Sequence, residues 1–190
     1  MAKISKDLAR RTLERSALGI GERHDADDGR RFTCELLNEP RRVRALFLEA
    51  KGRASLPAIR QANAVKQQGG TPTSIATEAL GIIAPEYGGA KVRIGHVAAV
   101  AIWRSIPVYC IDVHASDYAE ESLKDYMPKA VQVRDKVAAY LFKKIVERFL
   151  GGDKTGCLVL YGASHFTGTN TWAKQDCLAD YLELDYVLFE

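Results

Sequence analysis

GCLVLYGASH, residues 156–165, joins an unbroken apolar run to a glycine and then, three residues later, a histidine. Apolar side chains at successive positions mark a strand covered on both faces, the kind that parallel sheets contain. ALGIGERH, residues 17–24, repeats the form, with Gly21 at the end of the run and His24 three residues on. Three more runs lie further out: Val43–Glu49 (VRALFLE), Pro107–Val113 (PVYCIDV) and Asp185–Phe189 (DYVLF). Helical stretches separate them. One covers 27–39 and stops at Pro40; another covers 56–68, with Pro57 in its first turn and Gly69-Gly70 behind it. The others span 90–104, 128–150 (ending at Gly151-Gly152) and 171–182. This alternation predicts an α/β fold: a single domain over residues 1–190, with a mostly parallel sheet of about five strands flanked by helices. Residues 1–15 read as an N-terminal basic helix with a weak stripe of Ile4, Leu8 and Leu13. Residues 69–89, rich in Gly, Pro and Thr at both ends, read as a loop carrying a short helix and placed as a lid over the site.

Composition narrows the function classes. A chain of 190 residues is one domain's length, and 47% hydrophobic with 27% charged residues excludes disordered and collagen-like chains. Lys and Arg number 27 against 24 Asp and Glu, and a net charge of +3 with 8% aromatics predicts no nucleic-acid partner. The longest apolar-leaning run, Val97–Trp103, falls far short of the ~20 residues of a membrane span. MAKISKDLARRTLERS has no apolar core of the secretory kind, so a cytoplasmic chain is expected. Cys34, Cys110, Cys157 and Cys177 form no CxxC pair, and two of them lie in apolar runs. Buried free thiols in a reducing compartment are expected, rather than a disulfide framework or a structural zinc site.

Ligands of an open parallel sheet bind outside the carboxyl ends of its strands, so chemistry is sought there. The first strand is followed by Glu22-Arg23-His24-Asp25, the second ends in Glu49, the third reaches Asp112 and His114, and the fourth leads to His165. Both GxxH glycines are expected to permit a tight turn that sends the histidine back to the rim. In the stretch 128–150, Ala130, Val137, Ala138, Leu141, Ile145 and Phe149 define an apolar face, and Arg134 sits on it. Lys129, Asp135, Lys136, Lys143 and Lys144 fall outside or beside that face. A guanidinium keeps its proton, so a buried one needs an anion. That anion is either a core carboxylate or an active-site group, with Glu22 and Glu49 the expected partners. The remaining candidates have plainer readings. His96 packs within its helix, His114 is a solvated loop residue, and Ser164 lacks the GxSxG context of a nucleophile elbow. A thiol triad of Cys110, His165 and Asp112 is disfavoured, because a mid-strand side chain points to the face of the sheet rather than to the rim. Tyr87, Tyr109, Tyr161 and Tyr181 read as core and rim residues.

The ordered set GIGERH, Arg30/Arg31, ALFLEA, SIPVYCIDVH, Arg134-Asp135 and LVLYGASHFTG resembles the superfamily that holds the TIKI and TraB/PrgY-type proteases, the ChaN haem-binding proteins and the erythromycin esterases. The resemblance runs over about residues 17–189, and a related fold occurs inside large bacterial toxins. It implies a site of Glu22, His24, Glu49, Arg134 and His165, the same five that strand-end placement and the helix misfit select. It implies a hydrolase that cleaves an amide or ester of a small-molecule or peptide substrate with water activated by His24 and the glutamates. Two styles are implied. In one, Glu22, His24, Glu49 and His165 bind Mn²⁺, Co²⁺ or Zn²⁺; in the other, His24 is the base of a metal-free site. The alternative is a ChaN-like protein that binds haem without catalysis. A catalytic domain delivered as a bacterial toxin or effector is a further implied setting. Residues 50–105 hold much less helical insertion than the esterases carry, so the substrate-binding part does not transfer.

Overall fold

Each apolar run becomes a strand: β1 (Leu18–Glu22), β2 (Ala45–Lys51), β3 (Val108–Asp112), β4 (Cys157–Gly162) and β5 (Asp185–Leu188). The computed structural model describes residues 6–39, 42–84, 90–112, 127–167 and 176–189, with backbone alone at 127–131. The strands form one sheet in the order β3-β2-β4-β1-β5, and every pairing is parallel. The helices are α1 (Lys6–Leu13), α2 (Asp28–Leu37), α3 (Gly52–Gln67), α4 (Pro72–Ala79), α5 (Ile94–Trp103), α6 (Met127–Leu150), α7 (Ser164–Thr167) and α8 (Leu178–Leu182). The α/β architecture expected from the alternation is present.

Strand order explains the two helical layers. From β1 through β2 to β3 the chain moves toward one edge, and from β3 through β4 to β5 it moves back. Crossovers of one hand that run in opposite directions place their helices on opposite faces. One core accordingly joins α2, α3, α4 and α5 to Leu18, Ile20, Leu46, Leu48, Leu158 and Leu160 of the sheet. The other joins α6 and α8 to Phe47, Ile111, Val159 and Tyr161. Alternation along each strand divides these two sets, residue by residue.

Four expectations shift. α3 begins at Gly52, directly after β2, so Pro57 lies inside it rather than near its start. In α1 it is Ala9 and Leu13 that are buried, while Leu8 is exposed. Of the stretch read as a lid, α4 buries Ile75 and Ala79 against the layer of α3 and α5. Its flanks reach the rim, where Lys51 N–H donates to the Ile83 carbonyl and Val92 N–H to Asp27, both at 2.8 Å; 85–89 lie outside the described residues. The buried face of α6 is Asp135, Ala138, Ala139, Phe142 and Val146, one position round from the stripe expected, and Phe149 is exposed. All four cysteines are free, and no helix among the described residues is long and apolar enough to cross a membrane.

Candidate active site

β1 and β2 turn the carboxylates near their ends, Glu22 and Glu49, to opposite faces of the sheet. Glu22 follows Leu18 and Ile20 on the α2 side, whereas Glu49 follows Phe47 on the α6 side. Each meets an arginine there. Arg30 of α2 is wholly buried, and its Nε donates to both oxygens of Glu22 at 3.1 and 2.9 Å. Its Nη2 adds a third bond to Glu22 at 2.9 Å, and Nη1 donates to the Val92 carbonyl. Arg134 of α6 donates through Nη2 to Glu49 at 2.8 Å and through Nε and Nη2 to the two oxygens of Asp112 at 3.0 and 2.8 Å. Arg134 thus has the Glu49 partner expected from its misfit, and Asp112 as well.

His24 stands at the rim between the two carboxylates. Its Nδ1 lies 3.4 Å from Glu22 Oε1, and its Nε2 lies 3.5 Å from Glu49 Oε2. The backbone N–H of Gly162 donates to that same Glu49 oxygen at 2.6 Å. A Cβ at Gly162 would come within 2.8 Å of His24 Nε2 and 3.1 Å of Glu49 Oε2. Neither Gly21 nor Gly162 has a positive φ. The second GxxH glycine is there for close approach, not for the turn expected from sequence.

His165 sits on α7, with Nδ1 hydrogen-bonded to Asp135 and Nε2 3.4 Å from Glu49 Oε1. The buried Asp135 carboxylate on Nδ1, with Glu49 facing Nε2, favours the protonated form of this ring. Burial alone pushes this imidazole down, but the hydrogen bonds to Asp135 and Glu49 outweigh it and take the pKa up to about 9. Burial would likewise raise Glu49. The His165 hydrogen bond and the charges of His165, His24 and Arg134 win instead, bringing it down to about 2. Asp135, placed beside the apolar face by sequence, is 2% exposed on the inward face of α6.

The five expected residues therefore converge on one edge of the sheet, and three more join them: Arg30, Asp112 and Asp135. Arg30 was legible by the reasoning applied to Arg134, since it shares the buried face of α2 with Thr33, Leu36 and Leu37. Comparison with family models, curated proteins and solved structures finds no match to this chain.

The donor atoms decide what the site can hold. Among the described residues no three or more His, Cys, Asp or Glu side chains are grouped to hold a metal ion. His165 spends Nδ1 on Asp135, Glu22 is held by Arg30, and Glu49 by Arg134 and Gly162. As arranged, Glu22, His24, Glu49 and His165 do not form a ready-built cage for Mn²⁺, Co²⁺ or Zn²⁺. The cleft beside it, about 350 Å³, is lined by Glu22, Arg23, His24, Asp25, Gly162, Ala163 and Ser164. Four ionisable side chains in seven do not fit the apolar faces of haem. Cys110 faces the α3 layer with its thiol pushed up by burial to about 12, the opposite of an activated nucleophile. His114 lies outside the described residues.

Proposed function

We propose that this protein is a hydrolase that cleaves an ester or amide by attack of water, with His24 as the base and Arg134 at the carbonyl oxygen. The observation that carries the reading is that His24 and Arg134 share one carboxylate, Glu49, and reach solvent. Their side chains are 18% and 22% exposed, whereas Glu22, Glu49 and His165 are almost closed off. A water beside His24 gives its proton to Nε2 as its oxygen attacks the carbonyl carbon. The imidazolium so formed stands between Glu22 and Glu49, which stabilise it electrostatically. Glu49 and Asp112 hold the Arg134 guanidinium through Nε and Nη2, which leaves Nη1 outside those contacts to meet the oxyanion. Collapse of the tetrahedral intermediate returns the proton from His24 to the departing oxygen or nitrogen. The ordered motifs resembling the TIKI, TraB and erythromycin-esterase proteins support the same class.

The test is turnover of a panel of chromogenic esters and anilides by the wild type and by His24→Ala. The substitution should lower the rate by ~10²–10⁴, the usual loss when a general base is removed. A chelator should leave the wild-type rate unchanged. Loss of turnover on chelation would return the site to a metal-dependent mechanism, and an unaffected His24→Ala would move the chemistry elsewhere.

A further inference from the structure

Asp135 has no part in the reaction just described, yet it is a carboxylate 2% exposed among Ala138, Ala139, Phe142 and Val146. A buried carboxylate is strongly unfavourable unless it is paired, and the partner here is His165 Nδ1. His165 is itself 3% exposed, so whatever it does to a substrate in the cleft passes through its other nitrogen to Glu49. We propose that Asp135 is a positioning residue, holding the His165 ring so that Nε2 faces Glu49 and keeps that carboxylate turned between His24 and Arg134.

This rests on the hydrolase reading and deepens it. Glu49 has two oxygens, each set by a different element. Oε2 takes the Gly162 N–H and faces His24, while Oε1 takes Arg134 Nη2 and faces His165 Nε2. Consecutive residues of α6 therefore govern Oε1, Arg134 by direct contact and Asp135 through the imidazole. The ring is also steadied from the side. Tyr161 lies edge-on to it, with centroids 5.1 Å apart and planes at 79°. Tyr161 is in turn fully buried, with its hydroxyl 3.4 Å from Asp112. Without the Asp135 anion the ring loses the acceptor that fixes its Nδ1 proton and its rotation about χ2, and Glu49 loses an oriented donor. A carboxylate free to turn away from His24 no longer lines up the base, although the cleft that binds substrate stays intact.

Two measurements test this. The chain has four histidines, so ring ¹H–¹⁵N spectra resolve each one, assigned with His24→Gln, His96→Gln and His114→Gln. Wild-type protein near neutral pH should show one ring protonated at both nitrogens, with a slowly exchanging Nδ1 proton far downfield. Asp135→Asn keeps the shape and removes the charge. It should move that proton upfield and lower kcat for para-nitrophenyl acetate at least about tenfold, with KM held within about twofold. A fold defect alone would scale the active fraction and leave the spectrum of the folded molecules unchanged. A wild-type spectrum without such a ring overturns the proposal, whether or not the variant folds. So does an Asp135→Asn protein with kcat unchanged, or with the loss confined to KM. If the wild type leaves every ester and anilide intact, the hydrolase reading fails separately, and the ring spectrum alone decides the placement of His165 by Asp135.

Discussion

Raising the pH through the neutral range should weaken the folded state, chiefly by way of His165. In the unfolded chain His165 titrates near ~6.5; in the folded protein Asp135 and Glu49 hold it at about 9. Between these values the native state keeps a proton that the unfolded state has released, so stability falls as pH rises. The contribution is complete below ~6.5 and is lost as pH passes through about 9. One proton across that interval amounts to about 3 kcal/mol, with a slope approaching ~1.4 kcal/mol per pH unit. Glu49 acts at the other end. Its pKa is depressed to about 2, so its contribution is present above the unfolded carboxylate value of ~4.3 and vanishes only in strong acid. Cys34, Cys110 and Cys157 are pushed up by burial to about 11, 12 and 12. They steepen the fall only above the unfolded thiol value of ~8.5. Burial raises Asp135, the partner of His165, above the usual carboxylate range and pulls stability the same way from lower pH. Urea unfolding at closely spaced pH values between ~6.5 and ~8.5 therefore reads the histidine as the difference between wild type and His165→Gln. His165→Gln should flatten the slope. A wild-type stability that is level or rising across that window, or a slope that survives His165→Gln, refutes the assignment of a doubly protonated ring.

Two other substitutions probe the frame of the site. Arg30→Met leaves Glu22 buried without its cation, and chemical denaturation should show a loss of ~3–5 kcal/mol; a smaller loss, under about 1 kcal/mol, would mean that water or another cation replaces the guanidinium. Gly162→Ala puts a methyl group 2.8 Å from His24 Nε2 and 3.1 Å from Glu49 Oε2. It should cost ~1–3 kcal/mol of stability and most of the ester turnover, and an unimpaired alanine variant would show that neither side chain needs its present place.

The strands and the rim were readable early because parallel strands are apolar on both faces and their carboxyl ends share one edge. Those two rules alone place Glu22, His24, Glu49 and His165 together, as the structure has them. Helix phase was harder. α6 is long and carries apolar residues around much of its circumference, so a stripe through Val137, Leu141, Ile145 and Phe149 fits the sequence as well as the buried face through Ala138, Ala139, Phe142 and Val146. A shift of one position leaves Phe149 in solvent and brings Asp135 inward.

The chain by itself determined the number of strands, their shared direction, the edge where the candidate site gathers and the need of Arg134 for an anion. Only the tertiary structure decided who meets whom: Glu22 with Arg30, Glu49 with Arg134 and Gly162, Asp112 with Arg134, His165 with Asp135. Periodicity reports which residues share a face within one element. Pairing between elements depends on which helix crosses which face of the sheet, and that follows from the strand order β3-β2-β4-β1-β5, which is set by the packing of the whole chain.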